Sequence, residues 1–340
     1  MKKIVEPLLN WYLENKRELP WRRDKNPYHV WISEIMLQQT RIEAVKGYYE
    51  LFMKRLPTIE SLSKVPEDEL LKLWEGLGYY NRARNLKKAA IKIMDEYNGI
   101  FPGEYEEILK LPGIGEYTAG AISSISFNKK EVAIDGNVMR VYARVMNEDI
   151  DVSDLKVKKE IGEKIKKVLP EQPGDFNEGI MELGEVICLP NATPKCEICP
   201  LSNLCVAHQK HTESSIPRKV IKKEKKEEYY TVLLLVCKDK IALHKRGNGL
   251  LKNMWEFPNI EGKLTKKDLL ERFSSVKKVE EGIKNTHIFT HKKWYMKSYI
   301  IKTDILFSNY VWVSLDKIKK EYAIPTAFMP FLEYLEGRLK

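Results

Sequence analysis

Four of the five cysteines in this 340-residue chain lie between Cys188 and Cys205, with Cys196 and Cys199 between them and gaps of seven, two and five residues. Thiolates this close on one short loop can converge on a single soft metal centre, either a cubane iron–sulfur cluster or zinc. Only Cys196-Glu197-Ile198-Cys199 has the CxxC form that a zinc ribbon would show twice, so the spacing leans toward the cluster. A structural role suits the loop better than a catalytic one. Two carboxylates also stand out. Glu34 lies in Trp31-Ile32-Ser33-Glu34-Ile35-Met36-Leu37-Gln38-Gln39-Thr40, where apolar surroundings would disfavour ionisation and prepare it to act as a general acid. Asp135, in Ala133-Ile134-Asp135-Gly136-Asn137-Val138, stands where a helix should begin. Each has a plainer reading: a solvated place on a polar helix face for Glu34, and a simple N-cap for Asp135.

The segment Leu111-Pro112-Gly113-Ile114-Gly115-Glu116-Tyr117-Thr118-Ala119-Gly120 puts Gly113 and Gly115 at the entrance to a small-residue helix. Glycines there allow a tight turn, and the free N–H groups of a helix start can hold a phosphate oxygen without reading sequence. With the short helix expected over Tyr105 to Lys110, this is a helix-hairpin-helix signature.

The elements around these residues read as helices over His29–Gln39, Arg41–Lys54, Asn81–Tyr97, Gly115–Ser126, Gly136–Met146, Lys156–Val168 and Phe176–Ile187. They make an all-α first domain, residues 1–211, carrying the cysteine loop 188–205. Residues 212–228 contain Pro217 and a dense mix of Lys and Glu, as a solvated linker should. Beyond it, 229–340 reads as α+β. Strands are expected at Tyr229–Cys237, Lys240–Arg246, Trp294–Lys302 and Tyr310–Val313, with helices at Lys266–Phe273 and Pro325–Leu339.

A formal net charge of +10 suits a polyanionic partner. No apolar run is long enough to span a bilayer, and the first residues lack the apolar core of an export signal, so a cytoplasmic address and no membrane partner are expected.

Taken together and in this order, Glu34, the glycine hairpin, Asp135 and the four cysteines resemble the helix-hairpin-helix DNA glycosylases of the endonuclease III superfamily. Leu19-Pro20-Trp21-Arg22, Ser33 to Thr40, Gly76-Leu77-Gly78-Tyr79-Tyr80 and Asp135-Gly136-Asn137-Val138 narrow the resemblance to the MutY adenine glycosylases. The resemblance implies that Glu34 protonates the departing adenine and Asp135 stabilises the positive sugar, with Asn137 and Tyr117 orienting these groups or the attacking water. It further implies one 4Fe-4S cluster on Cys188, Cys196, Cys199 and Cys205, and DNA contacts from Arg22, Leu37, Gln39, Tyr79, Gly113 and Gly115, with Gln39 and Tyr79 as wedges that fill the gap left by a flipped base. The first cysteine gap is one residue longer here than in the family. Relatives that also cut the backbone carry a Schiff-base lysine where this chain has Tyr117, so little lyase activity is expected.

Leu250 to Pro258 resembles the opening of the MutT-like (Nudix-like) domain at the C-terminus of that family. The glutamate-rich helix that a nucleotide pyrophosphohydrolase needs is absent from Leu269 to Ser275, which points to binding rather than catalysis. The family reads 8-oxoguanine through a Phe-Ser-His loop, and Phe289-Thr290-His291 is the match, with threonine for serine; His287 nearby is read as structural. The implied partner is duplex DNA holding adenine opposite 8-oxoguanine or guanine. One active site with its own reader domain needs no second subunit, so a monomer is expected. The rivals are a glycosylase for thymine opposite guanine, a bifunctional oxidised-pyrimidine enzyme, and a non-catalytic iron–sulfur DNA-binding module. Glu34, Tyr117 and the second domain weigh against the first two.

Overall fold

A computed structural model describes residues 1–218, 224–273, 276 and 278–339. The chain divides into two compact units, Met1–Lys64 with Arg84–Ile221, and Val65–Ala83 with Lys222–Lys340. The division departs from the expected contiguous first domain, because Val65–Ala83 groups with the second unit.

The first unit is helical among its described residues: α1 (Val5–Asn15), α2 (Pro27–Leu37), α3 (Ile42–Arg55), α4 (Ile59–Lys64), and, after the excursion into the second unit for α5 (Glu67–Leu73) and the start of α6 (Asn81–Glu96), α7 (Tyr105–Leu109), α8 (Glu116–Phe127), α9 (Gly136–Met146), α10 (Leu155–Lys166), α11 (Pro173–Val186) and α12 (Val206–Gln209). Helices α2 and α8, both mostly apolar, are buried nearly all round. In α2 every residue from Val30 to Met36 is buried, and in α8 every residue from Thr118 to Ile125. A helix apolar on all sides needs neighbours on all sides, and Trp31 is accordingly fully buried with Phe101 edge-on at 5.4 Å. Pro27 opens α2 at a position where a missing N–H costs nothing, and the Asn26 side chain accepts from Tyr28 N at 2.9 Å. Around α9 and α11 an apolar cluster of Val138, Val141, Tyr142, Phe176, Ile180 and Leu183 anchors the cysteine loop.

The second unit is built on a mixed sheet of β1 (Lys226–Cys237), β2 (Lys240–Lys245), β3 (Trp255–Glu256), β4 (Asn259–Glu261), β5 (Lys278–Ile288), β6 (Lys292–Lys302) and β7 (Val311–Ser314). The main order is β3-β2-β1-β6-β5, with β4 on β1 and β7 on β2. β1 and β6 run parallel over their full length, from Lys226 beside Lys292 to Val236 beside Lys302. Alternation of their side chains feeds two cores: Val232, Leu234, Trp294 and Met296 pack with Phe328 and Phe331 on one face, and Leu233, Leu235, Tyr299 and Ile301 with Leu269 on the other. Helices α13 (Lys266–Arg272), α14 (Leu315–Glu321) and α15 (Met329–Leu339) complete the unit.

The expected linker begins as ordered chain. Ile216 is buried and its carbonyl accepts from Arg144 Nε at 2.9 Å, while Thr212 Oγ1 bonds Asn147 Oδ1 at 2.5 Å. Residues 219–223 of that linker, and Ser274 and Ser275, lie outside the described residues.

Candidate active site

Glu34 sits on α2 with 8% of its surface exposed, and its Oε2 is buried without a hydrogen-bond partner. Burial, opposed by the Tyr117 hydroxyl, pushes its carboxyl from the ordinary 4.5 up to about 7, and the charges of Glu178 and Asp135 add to the rise. Tyr117, on the first turn of α8, donates its hydroxyl to Met181 Sδ at 3.2 Å. Its phenol is held well above its usual range by burial first, then by the charges of Glu34 and Asp135, so it stays a proton donor.

Asp135 is the N-cap of α9: its Oδ1 accepts from Val138 N at 2.8 Å and its Oδ2 from Asn137 Nδ2 at 2.8 Å. The plain reading of this residue as a cap is therefore correct, and it does not compete with a chemical role. Burial raises the Asp135 pKa, while these donors pull it back. Asn137 is itself held, since Arg140 donates Nη2 to Asn137 Oδ1 at 2.8 Å and to the Gly184 carbonyl at 2.6 Å. Gly184 is needed there: a Cβ would lie 2.6 Å from Asn137 Cβ. Thus two carboxylates, a phenol and an amide come together from α2, α8 and α9.

A cleft beside Glu34 is lined by Tyr12, Trp21, Arg22, Ser33, Asp175 and Glu178. Arg22 is not open to phosphate within this unit, because its guanidinium donates to Glu178 at 3.0 Å and to Glu182 at 2.9 Å. Glu182 also takes Arg17 Nε at 2.6 Å; burial works against its ionisation, yet the two arginines bring its pKa below the ordinary value. Arg17, Glu178 and Glu182 carried no local signal of this role, since they meet only through the pairing of α1 with α11.

The glycine hairpin joins α7 to α8 as expected. Gly113 has φ +80°, and a Cβ there would meet Asn85 Cβ at 2.5 Å. Gly115 is the exposed N-cap of α8 and no side chain among the described residues caps that end, which leaves its first N–H groups open to an anion. Gln39 and Tyr79, read as wedges, both have left-handed backbones, with φ 57° and 47°. Such angles are uncommon away from glycine. Gln39 is exposed and Tyr79 is 49% exposed, while Leu37 ends α2 half-buried.

In the second unit, Phe289-Thr290-His291 forms the tip of the β5–β6 hairpin. Phe289 meets Trp294 edge-on at 4.7 Å and His287 at 4.5 Å. Lys225 Nζ donates to the Phe289 carbonyl at 2.7 Å, and the Tyr79 hydroxyl bonds Thr290 Oγ1 at 2.8 Å. Beneath the tip, Glu228 accepts from Lys292 at 2.6 Å and Trp294 Nε1 at 2.9 Å, with its pKa brought down to about 2 by the Lys292 bond first. On α13 the Asp268 carboxylate is engaged in a capping box with Thr265.

Cys188, Cys196, Cys199 and Cys205 are free thiols lining one cavity with Val141, Leu183 and Ile187 of α9 and α11. Arg144 donates Nη1 to Cys188 Sγ at 3.2 Å, and burial pushes the Cys199 thiol up to about 12. Four unpaired sulfurs around one mostly apolar cavity, with a guanidinium to offset their charge, fit a soft metal centre.

Residues 32–170 match the model of the HhH-GPD superfamily base excision DNA repair proteins, and residues 231–334 match that of the NUDIX domain. Among solved structures, a thermostable thymine-DNA glycosylase is similar with a TM-score of 0.57 and 33% identity, over 62% of this chain and 97% of that one. Endonuclease III in a non-covalent DNA complex is similar with a TM-score of 0.52 and 25% identity, over 62% and 98%. The first unit thus has the fold of the helix-hairpin-helix DNA glycosylases. An adenine DNA glycosylase from Buchnera aphidicola subsp. Baizongia pistaciae (strain Bp) is 40% identical over 323 residues, covering 93% of this chain and 87% of the relative, and one from Homo sapiens is 36% identical over 309 residues, covering 74% and 56%. On that similarity along most of its length, the chain belongs to the adenine DNA glycosylase family.

Proposed function

We propose that this protein hydrolyses the N-glycosidic bond of adenine mispaired with 8-oxoguanine or guanine in duplex DNA, without cutting the backbone. The observation that carries the reading is Glu34: a buried carboxyl with one unpartnered oxygen and a pKa of about 7, next to Asp135 and Tyr117. Adenine is a poor leaving group until a ring nitrogen takes a proton, and a carboxyl of this pKa holds one to give near neutral pH. Glu34 donates that proton, the bond from C1′ to the base breaks, and the positive sugar left behind is stabilised by the anion of Asp135. Water then adds to C1′ and releases a proton. Asn137, locked by Arg140 and Gly184, keeps the Asp135 carboxylate turned toward the site. Tyr117 supplies no amine for a Schiff base, which favours base release alone.

Gly113, Gly115 and the open end of α8 suit a phosphate, and Gln39 and Tyr79 suit the gap left by the flipped base. At the hairpin tip, Thr290 offers a hydroxyl to a base edge, His291 a donor and Phe289 a ring for stacking. Cys188, Cys196, Cys199 and Cys205 would hold a 4Fe-4S cluster. When bound, it would supply a cross-link closing the loop on itself, from Cys188 just after α11 to Cys205 at the start of α12. Replacing Glu34 by Gln tests the reading: duplex binding persists and adenine release is lost, whereas a non-catalytic DNA-binding module would keep its whole function.

A further inference from the structure

Two more donors reach the cysteine cavity. His208 on α12 and Glu213 just beyond it line the same space, and their ligand atoms lie with that of Cys196 all within 4.8 Å of one another. His208 Nδ1 and Glu213 Oε2 are both buried and bond to nothing in the described structure. A buried polar atom left unpaired is costly, and a histidine and a carboxylate that each carry one beside the same thiol define a ligand set. Imidazole, carboxylate and thiolate are the three donors zinc takes most readily, and tetrahedral zinc with bonds of about 2.0–2.3 Å places its ligands roughly 3.3–3.8 Å apart. Small side-chain rotations close the remaining distance.

We infer that Cys196, His208 and Glu213 form a zinc site, which the loop uses when Cys196 is not committed to a four-cysteine centre. The two states exclude each other because they share one thiolate. Zinc would then hold α12 against the loop in a chain that has received no cluster, with another donor or water as fourth ligand.

The test uses the full-length chain prepared with and without its cluster, with iron and sulfide measured on both. Zinc chloride is titrated into each, and the zinc shell is read by X-ray absorption. The inference expects one zinc per cluster-free chain, with nitrogen and oxygen as well as sulfur in the shell, and little uptake by the loaded chain. His208→Gln and Glu213→Gln, which keep size and polarity, should each weaken zinc at least tenfold, while Cys188→Ser changes it less than twofold. A shell of four sulfurs, no zinc uptake, or affinity that follows Cys188 rather than His208 and Glu213 would overturn it. These readouts do not depend on base release, so failure here leaves the glycosylase reading untouched.

Discussion

Glu34 carries opposing demands on chemistry and stability. Its carboxyl titrates near 7 in the fold but near 4.5 when exposed. Between those values the native chain keeps a proton that the unfolded chain has lost, so stability from this group is present at acid pH, falls as pH rises through 4.5 to 7, and stays lost above. The difference corresponds to roughly 3 kcal/mol as an upper figure. Glu34→Gln should therefore lower single-turnover base release by about 10²–10⁴-fold and raise the melting temperature at pH 8 more than at pH 5, as followed by thermal unfolding at both. In the unmodified chain the rate of base release should decline as pH rises above about 7, when Glu34 loses its proton. A profile flat to pH 9 would remove Glu34 as the acid. The burial of Glu34 was legible in the sequence because, Ser33 apart, the residues flanking it from Trp31 to Leu37 are apolar. Its network was not: Gly184 on α11 packs against Asn137 and accepts from Arg140 across the helices, and Arg17 and Arg22 meet on Glu182, contacts that exist only once α1, α9 and α11 are packed.

At the scale of elements, the hairpin between α7 and α8 is the feature most dependent on backbone shape. Gly113→Ala places a Cβ against Asn85 at a left-handed angle. Loss of one or two hydrogen bonds to phosphate, at about 1.5–3 kcal/mol each, should weaken duplex binding at least tenfold. Base release from the saturated complex should change far less, which titration and single-turnover rates together separate. The helices were read well where Gly, Pro or Asp punctuate them: α9 was expected at Gly136–Met146, as found. Strand β5 was missed entirely. Among the described residues it pairs with β6 alone, at the sheet edge, and buries just Val279 fully, so Lys278-Val279-Glu280-Glu281-Gly282-Ile283-Lys284 shows no apolar alternation. The tip it builds for Thr290 was visible only through the resemblance of Phe289-Thr290-His291.

For the whole molecule, the composition change near residue 211 announced two parts but not that Val65–Ala83 would group with the second. That grouping arises from packing, from the ion pair of Lys245 with Asp68, and from hydrogen bonds that Asn253 Nδ2 donates to Glu67 and Ile324 N donates to Glu75, which no local pattern encodes. It puts Tyr79 on Thr290 within one unit. Thr290→Ala should lower the preference for 8-oxoguanine over guanine opposite adenine by about tenfold, the worth of one hydrogen bond, and competition between the two duplexes measures it directly. Thr290→Ser should retain the preference.

The central claim is tested most directly by single-turnover base release from three duplexes, holding adenine opposite 8-oxoguanine, adenine opposite guanine, and thymine opposite guanine. Adenine should be released, fastest opposite 8-oxoguanine, with the strand intact until alkali is added. Release of thymine, release of no base, or strand cutting without alkali would contradict the assignment of Glu34, Tyr117 and the hairpin tip.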